Sequence, residues 1–286
     1  MGDDAWLTRI DDLVSSLATE WGLTIGATIE GGTEALVVEA ATNEGRDAVL
    51  KLLVPRDGSN AREEMAVLRA CGGEGCAELL RADADRSALL IERLGPSMFD
   101  LAVPFDLRLP ILIDVATAVW RPADDLEEVL SDGATKARWL IESIEREWER
   151  LDRPCSRAAV DEAIAAAGRR GEAHDPRRAV LCHGDVHQWN TLRTGDGWKL
   201  VDPDGLVAEP ECDLGIILRE DPDELLARGP RAVVADVASQ TDTDADAIWD
   251  WAFAERVSTG LAATAIDLQP VGRRLLAVAD QLAATV

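Results

Sequence analysis

Residues 88–96 read ALLIERLGP, and the character of the chain changes across them. ALLIE is a short apolar run of strand length, whereas Leu94-Gly95-Pro96 is a break that neither a helix nor a central strand carries through. Upstream the segments are short and β-like: 23–30, then 34–41 and 47–54, with Gly31-Gly32 and Asn43-Glu44-Gly45 as turns between them. These predict an antiparallel meander, to which 78–82 and 88–93, turned at Asp83-Ala84-Asp85, add two strands. One helix, capped by Ser59 and running to about Arg69, is set into this sheet, and another spans Asp3 to Trp21 with Asp3 or Asp4 as its cap. Downstream the periodicity turns helical, at about 105–120, 133–150, 157–169, 211–219, 230–239, 244–265 and 270–284. A β-like insertion at 179–183 and 190–202, turned at Thr194-Gly195-Asp196-Gly197, interrupts it. The expected architecture is therefore α+β and bilobal. A small antiparallel sheet forms an N-terminal lobe, 1–94, and a mainly helical lobe, 95–286, follows it, with a cleft between them.

The chain has 286 residues, 47% of them hydrophobic, enough for a packed core. Its 29 Lys and Arg stand against 54 Asp and Glu, and the resulting charge of −25 would repel nucleic acid and anionic membrane surfaces while favouring cationic partners. Fourteen acids fall within 202–250 beside only Arg219, Arg228 and Arg231; a solvated acidic face and a cation-binding cleft both fit that run. No apolar run approaches membrane-spanning length and the amino terminus MGDDAWLTRI opens with acids, so a soluble, cytoplasmic chain is expected, monomeric or weakly dimeric. The cysteines Cys71, Cys76, Cys155, Cys182 and Cys212 are odd in number and form no CxxC pair, which argues for free structural thiols over a zinc site or disulfide scaffold.

The most specific local signal is LCHGDVHQWN, residues 181–190, which holds two of the chain's three histidines around an Asp and ahead of an Asn. Phosphoryl transfer to a hydroxyl needs a carboxylate that aligns the attacking oxygen and accepts its proton, and metal ions that neutralise the transferring group. Asp185 suits the first task. Asn190, five residues on, can offer a carbonyl oxygen to Mg2+, an ion that demands hard oxygen ligands. The strand WKLV then delivers Asp202-Pro203-Asp204-Gly205, twelve residues after the Asn. Alone, DPDG reads as a turn; beside HGDVHQWN, Asp202 reads as a second metal ligand, while Asp204 stays divided between turn and site.

In AVLKLL, residues 48–53, Lys51 interrupts an apolar strand, which is costly unless its ammonium meets an anion. Phosphate oxygens are one partner and a carboxylate of helix 59–70 is the other, with Glu64 favoured over Glu63 because it shares a face with Leu68 at i,i+4. A snorkelling lysine is the bland alternative. Gly31-Gly32-Thr33 has two readings as well, a plain hairpin turn or a turn whose backbone N–H groups, with the Thr33 hydroxyl, meet phosphates.

Lys51, Glu64, the hinge ERLGP, HGDVHQWN and VDPDGLVAEPECDLG together resemble the aminoglycoside phosphotransferase family, relatives of the protein kinases, over nearly the whole chain. GGTEALVVEA, AVLKLL and CDLGIILRED are most similar to its streptomycin 6-kinase and hydroxyurea-resistance branch. The resemblance implies a eukaryotic-protein-kinase-like fold, with 1–94 as the nucleotide-binding lobe, 95–286 as the catalytic and acceptor-binding lobe, ATP and Mg2+ in the interlobe cleft and adenine held by hinge backbone at Glu92 and Leu94. It implies that Gly32, Thr33 and Lys51 face the nucleotide, and that Asp213 is a structural acid bonding catalytic-loop backbone near His183. HGD stands where a protein kinase has HRD, DPD where it has DFG, and neither an APE-ended segment nor GxGxxG is present, so a protein substrate is not expected.

Three readings of function result. In the first, an antibiotic-resistance kinase phosphorylates a streptomycin-like aminocyclitol whose guanidinium groups pair with carboxylates, with Asp185, Glu211, Glu220 and Asp221 as acceptor-side candidates. In the second, the acceptor is hydroxyurea, an amino alcohol, a sugar or a nucleoside-like metabolite. The third is a non-catalytic nucleotide-binding module, opposed by the intact set Lys51, Asp185, Asn190 and Asp202.

Overall fold

The computed structural model describes residues 6, 8–29, 35–54, 60–123, 125–195 and 197–284. The expected caps Asp3, Asp4 and Ser59 and the turn Gly31-Gly32-Thr33 lie outside the described residues. Helix α1 (Ile10–Trp21) ends at Gly22, whose φ of +66° lets its N–H reach back to the Ala18 carbonyl. Strands β1 (Leu23–Thr28), β2 (Ala35–Thr42), β3 (Asp47–Leu53), β4 (Leu79–Asp83) and β5 (Ala88–Glu92) form an antiparallel sheet in the order β1-β2-β3-β5-β4. Helix α2 (Asn60–Cys71) connects β3 to β4.

Period-2 alternation in β3 decides what reaches the cleft. Leu50 and Leu52 pack with Leu17 and Trp21 of α1 on one face, whereas Val49 and Leu53 join the core that holds Met65 and Leu68 of α2 on the other. Lys51 shares this second face, opposite Val37 and Leu89 in register. A buried ammonium is thereby aimed at α2.

Beyond β5 the chain is stitched to the second lobe by backbone hydrogen bonds, from Gly95 N–H to Arg193 O (2.8 Å) and from Arg193 N–H to Pro96 O (3.0 Å). The rest is mostly helical: α3 (Phe105–Val119), α4 (Gly133–Arg150), α5 (Arg157–Ala173), α6 (Glu211–Arg219), α7 (Pro222–Arg228), α8 (Pro230–Thr241), α9 (Ala245–Ala265) and α10 (Val271–Ala283). Asp132 caps α4 by accepting from the Thr135 N–H at 2.6 Å. Helix α9 is buried along most of its length and packs on α6 at Gly215, where an added Cβ would lie 2.3 Å from Trp251 Cβ. Two small sheets frame the site: β6 (Ser131–Asp132), β10 (Leu206–Ala208) and β7 (Val180–Cys182), and the hairpin β8 (Thr191–Thr194) with β9 (Gly197–Leu200).

Helix α7 and the parallel β6–β10 pair were not anticipated, although Asp221-Pro222 is a helix-start signal. All five cysteines are free and buried. Among the described residues, no helix is long and apolar enough to cross a membrane.

Candidate active site

The loop from β7 to β8 carries His183–Asn190, and its conformation is set from beneath by Asp213 in the first turn of α6. The Asp213 carboxylate accepts from the His183 N–H at 3.0 Å, the Gly184 N–H at 2.9 Å and Trp120 Nε1–H at 3.0 Å. Gly184 has φ +87°, and a Cβ there would crowd Asp204 Cβ at 3.0 Å, so the middle residue of His-Gly-Asp has to be glycine. His183 is fully buried; its Nδ1 accepts the Asp185 N–H at 3.3 Å, which leaves the proton on Nε2, 3.1 Å from Val201 O. Burial disfavours its cation and lowers its pKa to about 4.

Asp185 sits at the mouth of this loop with both carboxylate oxygens engaged. Oδ2 accepts from His187 Nε2 (3.0 Å) and Asn190 Nδ2 (3.1 Å), and Oδ1 accepts from Arg219 Nη2 (2.7 Å). Burial works to raise this carboxyl, but His187 and Arg219 outweigh it and hold it well below the usual carboxylate range. It is therefore ionised at any working pH, a fixed hydrogen-bond acceptor. His187 itself is oriented by the Trp189 and Asn190 N–H groups on its Nδ1.

Across the cleft, Lys51 Nζ donates to both oxygens of Glu64 at 2.7 and 2.8 Å and to Asp202 Oδ1 at 2.8 Å. Burial opposes the charge on Lys51, yet the two carboxylates raise it to about 12. Asp202 adopts φ +58°, a strained conformation that Asp tolerates better than most residues and that is common at functional sites. Asn190 spends its Nδ2 on the Asp185 side chain and carbonyl, and among the described residues no hydrogen bond reaches its Oδ1. Asn190 and Asp202 line one cavity, so their oxygens suit the octahedral, oxygen-preferring Mg2+. That cavity has a volume of about 780 Å3 and also opens onto Lys51 and Asp185.

Other expected site residues lie elsewhere. Glu92 and Leu94 do not line this cavity; Glu92 spends its N–H on Glu78 O and its carboxylate on Lys199 and the Glu78 N–H. The acidic cluster expected around an acceptor is absent from the lining. Glu211 is buried beneath α9 and accepts the Asp244 N–H at 2.9 Å, Glu220 pairs with Arg219 at 3.4 Å, and Asp221 pairs with Arg108 at 2.5 Å. Closeness to Asp202 along the chain put these acids in one group, and helices α6 and α7 point them to different neighbours.

What lines the second-lobe side is different: Trp139, Lys136 and Thr135 from α4, Trp189 from the loop, and Asp204. Trp139 and Trp189 are 56% and 39% exposed and both line the cavity, so their rings are open to a ligand there. Trp189 is held by Phe99, centroids 4.9 Å apart, and by the His187 edge at 5.7 Å. Asp204 is open to the cavity's water, but confinement in the cleft and the charge of Asp185 push it up to about 7. Sequence reasoning missed the tryptophans because a loop Trp and a helix-surface Trp carry no signal of a shared cavity.

Solved structures contain this architecture. A thermostable mutant of aminoglycoside phosphotransferase APH(4)-Ia, in ternary complex with ADP and hygromycin B, matches with a TM-score of 0.65 at 14% identity, over 94% of this chain and 97% of that one. The choline kinase of Cryptosporidium parvum Iowa II matches with a TM-score of 0.62 at 10% identity, over 95% of this chain and 94% of that one. The fold is protein-kinase-like, in the form found in kinases of small molecules. Sequence narrows this: residues 20–266 match the aminoglycoside/hydroxyurea antibiotic resistance kinases, and the chain belongs to that family. It is 31% identical over 228 residues to streptomycin 6-kinase of Streptomyces glaucescens, covering 78% of this chain and 71% of the relative. It is 34% identical over 215 residues to hydroxyurea phosphotransferase of Kitasatospora aureofaciens, covering 70% of this chain and 58% of the relative. The protein is a phosphotransferase with a hydroxyl group as acceptor.

Proposed function

We propose that the protein transfers the γ-phosphoryl group of ATP to a hydroxyl of a streptomycin-like aminocyclitol, with the acceptor seated between Trp139, Trp189 and Asp204. The observation that carries this reading is the convergence of Lys51, Asp185, Asn190 and Asp202 on one cavity. The acceptor hydroxyl donates to Asp185, which takes its proton as the new O–P bond forms and the bond to the β-phosphate oxygen breaks, releasing ADP. Because Asp185 is a weak base, its main work is alignment, with proton transfer late, as a loose phosphoryl transition state allows. Lys51, held in place by Glu64, points its ammonium at the phosphates, and Asn190 and Asp202 would hold Mg2+. When bound, that ion supplies charge neutralisation for the transferring phosphoryl.

The nucleotide enters from the sheet side, where the adenine would meet the hinge; with the Glu92 N–H spent within the lobe, Glu92 offers its carbonyl and Leu94 its N–H. On the acceptor side, tryptophan faces suit guanidinium groups and the apolar faces of a cyclitol ring, and Asp204 suits a charge-assisted hydrogen bond. These groups replace Glu211, Glu220 and Asp221 as the acceptor contacts. The 34% identity to a hydroxyurea phosphotransferase supports hydroxyurea as the second reading.

Coupled ADP release against streptomycin, other aminocyclitols, sugars, amino alcohols and hydroxyurea tests this. Acceptor-dependent turnover with streptomycin is the expected result. Turnover of hydroxyurea alone would replace it by the second reading, and no acceptor-dependent ADP release from a panel that includes both would overturn it.

A further inference from the structure

Asp185 Oδ2 is fixed from within its own loop, by His187 and Asn190, but Oδ1 is held from outside, by an arginine at the end of α6. Arg219 is itself anchored. Its Nη1 lies 3.3 Å from Glu255 Oε2 on α9 and its Nε 3.4 Å from Glu220. Glu255 Oε1 pairs in turn with Lys136 Nζ of α4 at 2.8 Å, and Lys136 lines the cavity. The four groups alternate in sign, Lys136, Glu255, Arg219 and Asp185, and their side chains are 12%, 5%, 10% and 27% exposed. An ionic chain thus runs from the acceptor wall, through two buried helices, to the carboxylate that meets the reacting hydroxyl.

We propose that Arg219 is a positioning residue for Asp185, held to that task by Glu255, and that the chain ending at Lys136 ties the orientation of Asp185 to the acceptor wall. The proposal rests on the reading of Asp185 as the group that aligns the acceptor hydroxyl.

The argument is geometric. A carboxylate pinned through one oxygen can still rotate about its last bond, and both contacts from the loop fall on the same oxygen. Arg219 supplies the second point and so fixes the plane of the carboxylate. Each oxygen has two lone-pair directions. The guanidinium takes one on Oδ1, leaving the other to accept the hydroxyl. Arginine suits this because its planar fork reaches two carboxylates at once, Asp185 through Nη2 and Glu255 through Nη1, which a lysine ammonium would do with poorer directionality. A purely structural arginine has no need of Asp185, since Glu255 and Glu220 already compensate its charge.

The test is steady-state kinetics on Arg219→Met, Arg219→Lys, Glu255→Gln and the double variant Arg219→Met/Glu255→Gln, with thermal melts to score folding. The acceptor is streptomycin, or hydroxyurea if that is the compound turned over. Misplacing a catalytic group by about 1 Å costs on the order of a hundredfold, so Arg219→Met should lose about that factor in kcat while KM for MgATP stays within about twofold. Arg219→Lys should recover part of the loss. Glu255→Gln should lower kcat more modestly and add little to the kcat loss in the Arg219→Met background, because its hold on Asp185 runs through Arg219, while loss of its Lys136 pair reads out in acceptor KM.

The inference is overturned if kcat of Arg219→Met stays near wild type, if its kcat loss is no larger than the loss of folded enzyme in the melts, or if the two variants' effects on kcat simply add. Should Arg219→Met fail to fold, Arg219→Lys carries the decision: a kcat loss at unchanged KM supports the proposal, and wild-type kcat overturns it. Failure of the underlying reading is distinct, since it would leave Asp185→Asn active. If Asp185→Asn is inactive and Arg219→Met is not, only the positioning role falls.

Discussion

Replacing Lys51 by Met removes the cation between Glu64 and Asp202, and the two carboxylates feel this unequally. The Glu64 side chain is 4% exposed and that of Asp202 is 52% exposed, so water can compensate Asp202 but not Glu64. Left unpaired, Glu64 escapes by taking up a proton. Burial raises Glu64 to about 7 even against the pull of Lys51, and without Lys51 it rises further, so the variant's Glu64 stays protonated through the neutral range at a cost of about 3 kcal/mol, the low end of what losing one partner of a buried pair costs. For a chain of this size that corresponds to a fall in Tm of roughly 6 to 12 °C. The sign with pH follows: the unfolded Glu64 is common to both proteins, so the deficit relative to wild type is set by the two folded values, growing as pH rises through the wild-type value of about 7 and shrinking on acidification. Adding Glu64→Leu should restore stability without restoring activity. Differential scanning fluorimetry between pH 5 and 8, read beside ADP release, checks both halves. A Lys51→Met protein with wild-type Tm at pH 8, or a deficit that deepens toward pH 5, would refute the reasoning.

Trp139→Ala and Trp189→Ala should each raise the acceptor KM about tenfold, the equivalent of about 1.4 kcal/mol of lost stacking or cation–π contact, with KM for MgATP nearly unchanged; a matching rise in both KM values would place these residues elsewhere. His183, whose pKa is lowered to about 4 by burial, refuses a proton that the unfolded chain accepts below 6.5, so stability is full above 6.5 and declines by up to about 3 kcal/mol as pH falls toward 4. Urea titrations of wild type and His183→Gln between pH 6.5 and 5 should show a slope that the variant loses. Gly215→Ala should destabilise by about 1–3 kcal/mol or more through overpacking, since its Cβ would fall 2.3 Å from Trp251 Cβ; an unchanged Tm would mean that α6 and α9 separate freely.

Much of this was legible in the chain for physical reasons. Local signals in the first 94 residues are strong because β3 is a continuous apolar strand broken once, at Lys51, and a buried charge there demands a partner on the adjacent helix. The HGDVHQWN loop is short, so its spacing already indicates that Asp185 and Asn190 meet, as they do at 3.1 Å. The acceptor wall was not legible, since it is assembled by packing: α4 contributes Trp139 and Lys136, the catalytic loop Trp189, and nothing in their spacing of some fifty residues indicates one cavity. The acids of 209–224 show the converse, being neighbours in sequence that the fold disperses to different partners. Arg219 and Glu255 did carry a signal that went unused. Glu255-Arg256 interrupts the long, mostly buried helix α9 as Lys51 interrupts β3, and the same argument from the cost of burial asks where its partners lie.

The central claim is that Asp185 aligns and deprotonates the acceptor hydroxyl, and Asp185→Asn tests it most directly because the amide keeps the shape of the side chain and removes the proton acceptor. Single-turnover phosphoryl transfer from γ-labelled MgATP to the acceptor, with nucleotide affinity measured in parallel, separates chemistry from binding. The expected result is a rate lowered by about 10²–10⁴ at an MgATP affinity within about threefold of wild type. A transfer rate within about tenfold of wild type would contradict the account.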